Sequence, residues 1–157
     1  RFLFKTVPVD PYDAFRGRFL AIGIEENSVP NPDHLLITPG DRVYAFVEVG
    51  EDGFAHFTGF STKRPDEGSY IVANVWNDSE GEDLRLNLPF DRYYLEETIA
   101  PEVDRVYRDR FSFGARDAYI AVRVHEGFAV LEELYIADTP VKEFVRKQSA
   151  ASTEGTL

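Results

Sequence analysis

The stretch RVYAFVEVGEDGFAHFTGFS, residues 42–61, indicates the fold class of this sequence. Apolar and polar side chains alternate from Arg42 to Val49, where Val, Tyr and Phe are frequent, and a comparable pattern returns from Phe54 to Ser61. Such alternation is typical of β-strands. The intervening residues 50–53 contain an Asp-Gly pair, which is a strong signal for a tight turn. The sequence therefore predicts a β-hairpin here.

A second hairpin is predicted near the C-terminal end. Residues 117–124, DAYIAVRV, are followed by a short turn and then by another strand-like run over residues 128–136. Gly127 is suited to the positive-φ position of that turn, because it has no Cβ atom to clash. Three further strand-like runs are Phe19–Glu25, Tyr70–Trp76 and Leu84–Leu88. Together with the two hairpins they give at least seven predicted strands.

One segment is predicted to be an α-helix. From Ile99 to Arg110 the apolar residues fall on one helical face, while charged residues occupy the other. Pro101 suits the first turn of a helix, and Thr98 is a suitable cap. A shorter apolar stripe after Pro140 predicts a second helix.

These elements predict a mainly β fold: an antiparallel β-barrel or sandwich with one packed α-helix at about residues 99–110 and a short C-terminal helix. A chain of 157 residues, 43% of them hydrophobic, can build one core of ordinary size, so we expect a single β-rich domain over residues 1–147. Residues 148–157 are small and polar without periodicity, and we expect them to form a flexible tail.

The net charge of −11 limits the classes of partner. A field of that sign repels phosphate backbones, so we expect no binding to nucleic acid. The absence of cysteine excludes disulfides and thiolate metal sites, and it fits a reducing cytosol and a periplasm equally well. No run of about 18 apolar residues occurs, so the sequence predicts no membrane span within these 157 residues.

A shaped connector precedes the strand that begins at Phe19. Residues 6–17, TVPVDPYDAFRG, contain Pro8 and Pro11, which fix the φ angle of the backbone and exclude a helix. The carboxylate of Asp10 is suited to accept bonds from nearby backbone N–H groups. We therefore expect an ordered connector at this place.

Four segments carry a resemblance to a known family. They are residues 8–17, with their PVDP and FRG motifs, residues 40–44 (GDRVY), residues 64–65 (RP), and residues 90–97 (FDRYYLEE). Through them the chain from Phe2 to Ile136 resembles the GDYXXLXY protein family. The naming motif is altered, since Gly17-Arg18-Phe19 replaces the Gly-Asp-Tyr of the family. Apolar residues persist through the rest of the motif, so we expect the strand to persist too.

The resemblance implies a membrane-anchored bacterial protein of uncharacterised function. It implies an extracytoplasmic domain, periplasmic or in the cell envelope, which is anchored by an N-terminal transmembrane helix that is absent from this chain. It further implies contact with a membrane or envelope protein as partner.

Common catalytic and metal patterns find little support in the sequence. None of the three histidines has the spacing of a helical metal site, and His56 alternates with aromatic residues, which favours a packed side chain. The acidic loop over residues 77–83 lacks the glutamate that a calcium loop needs at its twelfth position, where Pro89 stands. No nucleophile motif and no glycine-rich phosphate loop occur. We therefore predict no metal, no cofactor and no catalytic residue.

The strongest candidates for a ligand site lie in the segments that resemble the family. Two interpretations of these candidates are open. An aromatic wall with carboxylates is suited to hold a small polar ligand, or the same groups serve to pack the helix on the sheet and to pair with arginine. We favour the structural reading. The candidates are Asp10, Arg16, Tyr93, Tyr94, Glu96 and Glu97.

Three hypotheses of function follow. The first is a non-enzymatic binding or assembly role with an envelope or membrane protein. The second is an envelope hydrolase that uses Glu96 or Glu97, a carboxylate near Tyr93 and Tyr94. The third is a module that binds a small ligand or glycan through aromatic residues such as Trp76, although such residues are more often part of the core.

Overall fold

The computed structural model describes residues 1–8, 15–16, 19–33, 35–79, 83–95, 99–112 and 117–154. The elements within them are β1 Phe2–Pro8, β2 Phe15–Arg16, β3 Phe19–Ile24, β4 Ser28–Pro30, β5 Arg42–Val49, β6 Ala55–Ser61, β7 Tyr70–Ser79, β8 Asp83–Asn87, β9 Arg92–Tyr94, α1 Ala100–Ser112, β10 Ala118–His125, β11 Phe128–Ile136, β12 Thr139–Pro140 and α2 Val141–Glu154.

The strands form two sheets. A seven-stranded sheet has the order β12-β11-β10-β1-β3-β2, with β9 also paired to β3, and a five-stranded sheet has the order β4-β8-β7-β5-β6. The described registers within both sheets are antiparallel. The mainly β antiparallel fold, with a helix near residues 99–110 and a C-terminal helix, is confirmed.

The chain divides into two compact units, each made of three segments. The first unit contains Arg1–Phe4, Glu25–Phe90 and Val122–Leu131, and the second contains Lys5–Ile24, Asp91–Ala121 and Glu132–Leu157. The expectation of a single domain over residues 1–147 stays a prediction.

The core of the first unit is built by alternation along its strands. Alternate residues are buried from Val43 to Val47 in β5 and from Ile71 to Val75 in β7, as are the leucines of β8, because successive side chains of a strand point to opposite faces. These buried residues are Val43, Ala45, Val47, Ile71, Ala73, Val75, Leu84 and Leu86. Phe4 adds an aromatic contact, since its ring centroid lies 5.0 Å from that of Phe90.

The core of the second unit packs two helices with strands. α1 buries Val103, Val106 and Tyr107, which the sequence placed on one helical face. The hydroxyl of Tyr107 donates to Oγ1 of Thr6 in β1 over 3.0 Å, and the Thr6 hydroxyl donates to the carbonyl of Ala118 in β10 over 3.1 Å. Three distant segments are therefore joined by one buried chain of hydrogen bonds.

The altered naming motif keeps its strand. In β3, Leu20, Ile22 and Ile24 are buried, and the strand pairs with β1 and with β9. The apolar residues that replace or accompany the family motif therefore preserve the local structure, as the sequence predicts.

Helix α2 is longer than the sequence predicts. It runs to Glu154, so residues 148–154 of the expected tail are helical. The first turns of the helix are packed on the core through Val141 and Val145, which are buried. The alanines at 150 and 151 favour its continuation, because alanine has the highest helix propensity. The flexibility of this segment stays a prediction.

Candidate functional site

The six candidates from the sequence fall partly outside the described residues. Asp10, Glu96 and Glu97 lie there. Arg16 belongs to β2, where its backbone pairs with Phe19, and its side chain is also outside the described part of the chain. The role of these four residues as candidates for a ligand site stays a prediction.

Tyr93 and Tyr94 are neighbours in β9 but differ in their surroundings. Tyr93 is buried, with 7% of its surface exposed, whereas Tyr94 is 67% exposed. Alternation along the strand explains this difference, because consecutive side chains point to opposite faces. The two rings therefore do not form one continuous aromatic wall.

The hydroxyl of Tyr93 donates a hydrogen bond to Oε1 of Glu133 in β11 over 2.7 Å. The same oxygen accepts the backbone N–H of Leu134 over 3.0 Å. Burial, followed by the bond to Glu133, raises the pKa of Tyr93 well above its usual range. Sequence reasoning missed Glu133, which lies 40 positions away, and the only signal was the pair of acids, Glu132 and Glu133, within an otherwise apolar strand.

The first unit contains a cleft of about 540 Å³, within the size range of ligand pockets. One wall is the β6–β7 connection with the first residue of β7, and the other is the end of β10 with its turn. Its lining residues are Arg64, Pro65, Asp66, Glu67, Gly68, Ser69, Tyr70, Val124, His125 and Glu126. Sequence reasoning noted the Arg64-Pro65 turn but did not predict a cleft.

Arg64 bridges the two walls of this cleft. Its Nε–H donates to the hydroxyl oxygen of Tyr70 over 3.1 Å, and its Nη2 lies 3.8 Å from Oε2 of Glu126. The hydrogen bond to Tyr70 is the main cause of the raised pKa of Arg64. Like any arginine, Arg64 is positively charged, and its guanidinium has further N–H donors for a polar ligand.

The turn between β10 and β11 lies tightly against β7. The N–H of Val72 donates to the carbonyl of Gly127 over 2.9 Å, and Gly127 forms a parallel bridge with Ile71. A Cβ atom on Gly127 would lie 2.7 Å from Cε2 of Tyr70, whose ring contacts Tyr44 edge-on. Gly127 has a φ of +87°, which confirms the predicted positive φ.

Two large apolar side chains are exposed directly after this turn. Phe128 is 75% exposed and Val130 is 64% exposed, and both point to the same face of β11, because they lie two positions apart. Phe128 follows the cleft residue Glu126 by two positions. Sequence analysis placed them in a strand but did not distinguish them from core residues.

Trp76 is 60% exposed, and the expectation that it belongs to the core is wrong. The register between β7 and β8 shifts here, so that Val75 and Asn77 have partners in β8 whereas Trp76 has none. Its exposure follows from alternation along β7, because the preceding residue, Val75, is buried and consecutive side chains point to opposite faces. The guanidinium carbon of Arg85 lies 5.8 Å from the ring centroid of Trp76, which fits a cation–π contact. Tyr70 remains buried.

The sequence favours a packed His56, but in the structure this side chain does not belong to the core. Its side chain is 42% exposed, and its ring nitrogens lie 2.7 Å from Oε2 of Glu26 and 3.0 Å from Oδ1 of Asp52. His125 lines the cleft, and His34 lies outside the described residues. Among the residues that the structure describes, no group of three acidic or histidine side chains is arranged as a metal site.

A protein-family model matches most of the chain. The family model described as GDYXXLXY protein matches residues 1–134. The chain therefore belongs to the GDYXXLXY protein family, which confirms the resemblance seen in the sequence. Neither the curated proteins nor the solved structures contain a significant match. Within the described residues, neither helix has the length and apolar character needed to cross a membrane.

Proposed function

We propose that this chain is a non-enzymatic binding module: the extracytoplasmic domain of a membrane-anchored protein, which binds an envelope or membrane protein partner. The observation that carries the proposal is the exposed pair Phe128 and Val130, which lies beside a preformed polar cleft. The location outside the cytoplasm rests on the resemblance described above.

An exposed aromatic and aliphatic pair on a strand is suited to protein recognition. Aromatic side chains are enriched among the residues that dominate binding energies. Full burial of one such side chain contributes about 1.5–3 kcal/mol, so covering Phe128 and Val130 would supply a sizeable share of a moderate affinity. Arg64 and Glu126 at the cleft offer the polar contacts that usually surround an apolar contact.

Site-specific photocrosslinking tests this proposal. A photoreactive phenylalanine analogue replaces Phe128 in the full-length protein within its native cells. We expect a discrete covalent adduct with an envelope or membrane protein. The control places the same analogue at Leu36, which is 96% exposed and is therefore more accessible to random collisions.

An adduct pattern shared by positions 128 and 36, or no adduct at position 128, contradicts the binding role of this surface. The cellular location is tested separately by fractionation and by protease access to intact and permeabilised cells. Recovery of the full-length protein in the soluble cytoplasmic fraction contradicts the proposed anchoring, whatever the crosslinking shows.

A glycan or small-ligand module remains a second candidate, because Trp76 is exposed and lies over Arg85. Exposed aromatic rings are suited to stack on sugar rings. Since Trp76 is the single tryptophan, its fluorescence reports on this surface alone. A saturable change in emission on titration with soluble envelope glycan fragments, lost in Arg85→Ala, supports this candidate; unchanged emission removes its support.

A further inference from the structure

The two outer strands of the five-stranded sheet, β4 and β6, are joined by a side chain. Glu26 lies two residues before β4, and its Oε1 accepts the backbone N–H of Phe57 in β6 over 3.2 Å. The carboxylate thus satisfies a backbone donor of an outer strand. It fixes the segment before β4 relative to β6.

The imidazole of His56 lies between this carboxylate and a second one. Nδ1 is 2.7 Å from Oε2 of Glu26, and Nε2 is 3.0 and 3.1 Å from the two carboxylate oxygens of Asp52. Asp52 belongs to the β5–β6 turn, where its Oδ1 also accepts the N–H of Phe54 over 3.0 Å. A Cβ atom on Gly50 would lie 2.6 Å from Cδ2 of His56, so the ring also lies against the backbone of the turn.

We propose that His56 is a pH-dependent clip that, when protonated, holds Glu26 and Asp52 together and that, on losing its proton, releases Asp52 and loosens the turn of residues 50–53. The step is a proton transfer from the imidazolium to solvent.

The chemistry of the ring explains why both contacts need the proton. An imidazolium donates from both nitrogens, whereas a neutral imidazole donates from one nitrogen and presents a lone pair at the other. A lone pair facing a carboxylate is repulsive. One of the two acids must therefore lose its contact when His56 becomes neutral.

Asp52 is the acid that loses its contact. The distance to Glu26 is shorter by 0.3 Å, 2.7 against 3.0 Å. Glu26 also accepts the N–H of Phe57 in β6, the strand that carries His56, whereas the N–H that Asp52 accepts belongs to Phe54 in the turn. The neutral ring therefore keeps its proton on Nδ1 and turns its lone pair toward Asp52. The turn then loses its side-chain contact with His56, while the backbone hydrogen bond from Gly50 to Phe54 remains.

The charged residues nearest to His56 on the described segments around it are acids, whereas Arg42, the basic residue of β5, lies at the far end of that strand, beyond the pair of Tyr44 with Ser61. Glu25 and Glu26 precede β4, Glu48 lies opposite His56 in the β5–β6 register, and Glu51 and Asp52 lie in the turn. β4 itself carries no charged residue. The hydrogen bond to Asp52, followed by that to Glu26, raises the pKa of His56 above its ordinary value.

The sign of the pH dependence follows from this direction. A histidine with a raised folded-state pKa stabilises the fold fully below its unfolded value of about 6.5, and that stabilisation is lost as the pH rises through the folded-state pKa. The clip is therefore closed at pH 6 and opens toward higher pH.

Nitrogen-15 and amide-exchange NMR on the intact chain test the clip. In the wild type we expect a His56 titration midpoint above about 6.5 and, at high pH, a neutral ring protonated on Nδ1. The exchange protection of the Phe54 amide, corrected for intrinsic exchange, should fall about two- to fivefold from pH 6 to pH 8.5, the range expected for one partly exposed ion pair.

The variant His56→Gln should show no such pH dependence, because glutamine does not titrate in this range. The matched control His125→Gln, at the other hairpin turn, should retain it. Wild-type protection that is independent of pH, a midpoint at or below 6.5, or a neutral ring protonated on Nε2 overturns the proposal. The last two readouts use the wild type and need no variant to fold.

Discussion

Gly127→Ala offers a sharp test of the structure of the first unit. Two separate costs are expected. Residue 127 has a φ of +87°, and a residue with a Cβ atom in the left-handed region pays about 1–2 kcal/mol. The new Cβ atom would also lie 2.7 Å from Cε2 of Tyr70 and from Cγ2 of Val72.

The steric cost is not easily relieved. Tyr70 is 7% exposed, its ring lies 5.7 Å from that of Tyr44, and its hydroxyl is bonded to Arg64. Overpacking of a well-filled site costs about 1–3 kcal/mol. We therefore expect Gly127→Ala to lower the free energy of unfolding by about 2–5 kcal/mol, the sum of this cost and the backbone cost.

The matched control is Gly53→Ala. Gly53 occupies the other hairpin turn with a φ of +82°, but a Cβ atom there meets nothing within 4 Å. Its loss should be only the backbone cost of about 1–2 kcal/mol. Urea unfolding followed by the fluorescence of Trp76, which lies in the same unit, measures both. Equal losses for the two variants would refute the close contact between Gly127 and Tyr70.

Two further predictions concern buried tyrosines of the second unit. Tyr107→Phe should cost about 0.5–1.5 kcal/mol, because it removes the bond to Thr6. Burial raises the pKa of Tyr107 to about 12, so the free energy of unfolding of the wild type should fall as the pH rises from about 10 toward 12. In Tyr107→Phe the free energy of unfolding should fall less over the same range. Equal pH dependence of the two proteins in urea titrations would argue against this. Tyr93→Phe should cost about 1–3 kcal/mol in thermal or urea unfolding, because it removes a part-buried donor to the Glu133 carboxylate, which the N–H of Leu134 also contacts. Tyr44→Phe is the control in the first unit and should cost less, because the ring contact of Tyr44 with Tyr70 is kept. A Tyr93→Phe loss no larger than that of Tyr44→Phe would contradict the role of the bond to Glu133.

Local signals in the sequence predicted much of the fold. The Asp52-Gly53 pair predicted the turn between β5 and β6, and Gly127 predicted the positive φ between β10 and β11. The apolar spacing from Ile99 predicted α1 within two residues of its observed end at Ser112. Each of these features depends on residues that are close in the chain.

Features that depend on distant residues were missed. The sequence favours a core position for Trp76, but β7 buries the opposite face, which carries Val75, and leaves Trp76 exposed. The alternation of residues 54–60 favours a packed His56, but its partner Glu26 lies 30 positions away. Glu133 lies 40 positions from Tyr93. Single-chain periodicity carries no information on which strand will become a neighbour, so these contacts were not predictable from the sequence.

The buried hydrogen bonds that join Tyr107, Thr6 and Ala118 affect how the second unit folds. They join residues separated by 101 and 112 positions, so the chain must close very long loops before these bonds form. Contacts of such high sequence separation slow the rate-limiting step of folding. On the ribosome, this unit cannot assemble until β10 has emerged. A nascent chain that stalls before that point would leave the hydroxyl of Thr6 without the carbonyl of Ala118 to which it donates.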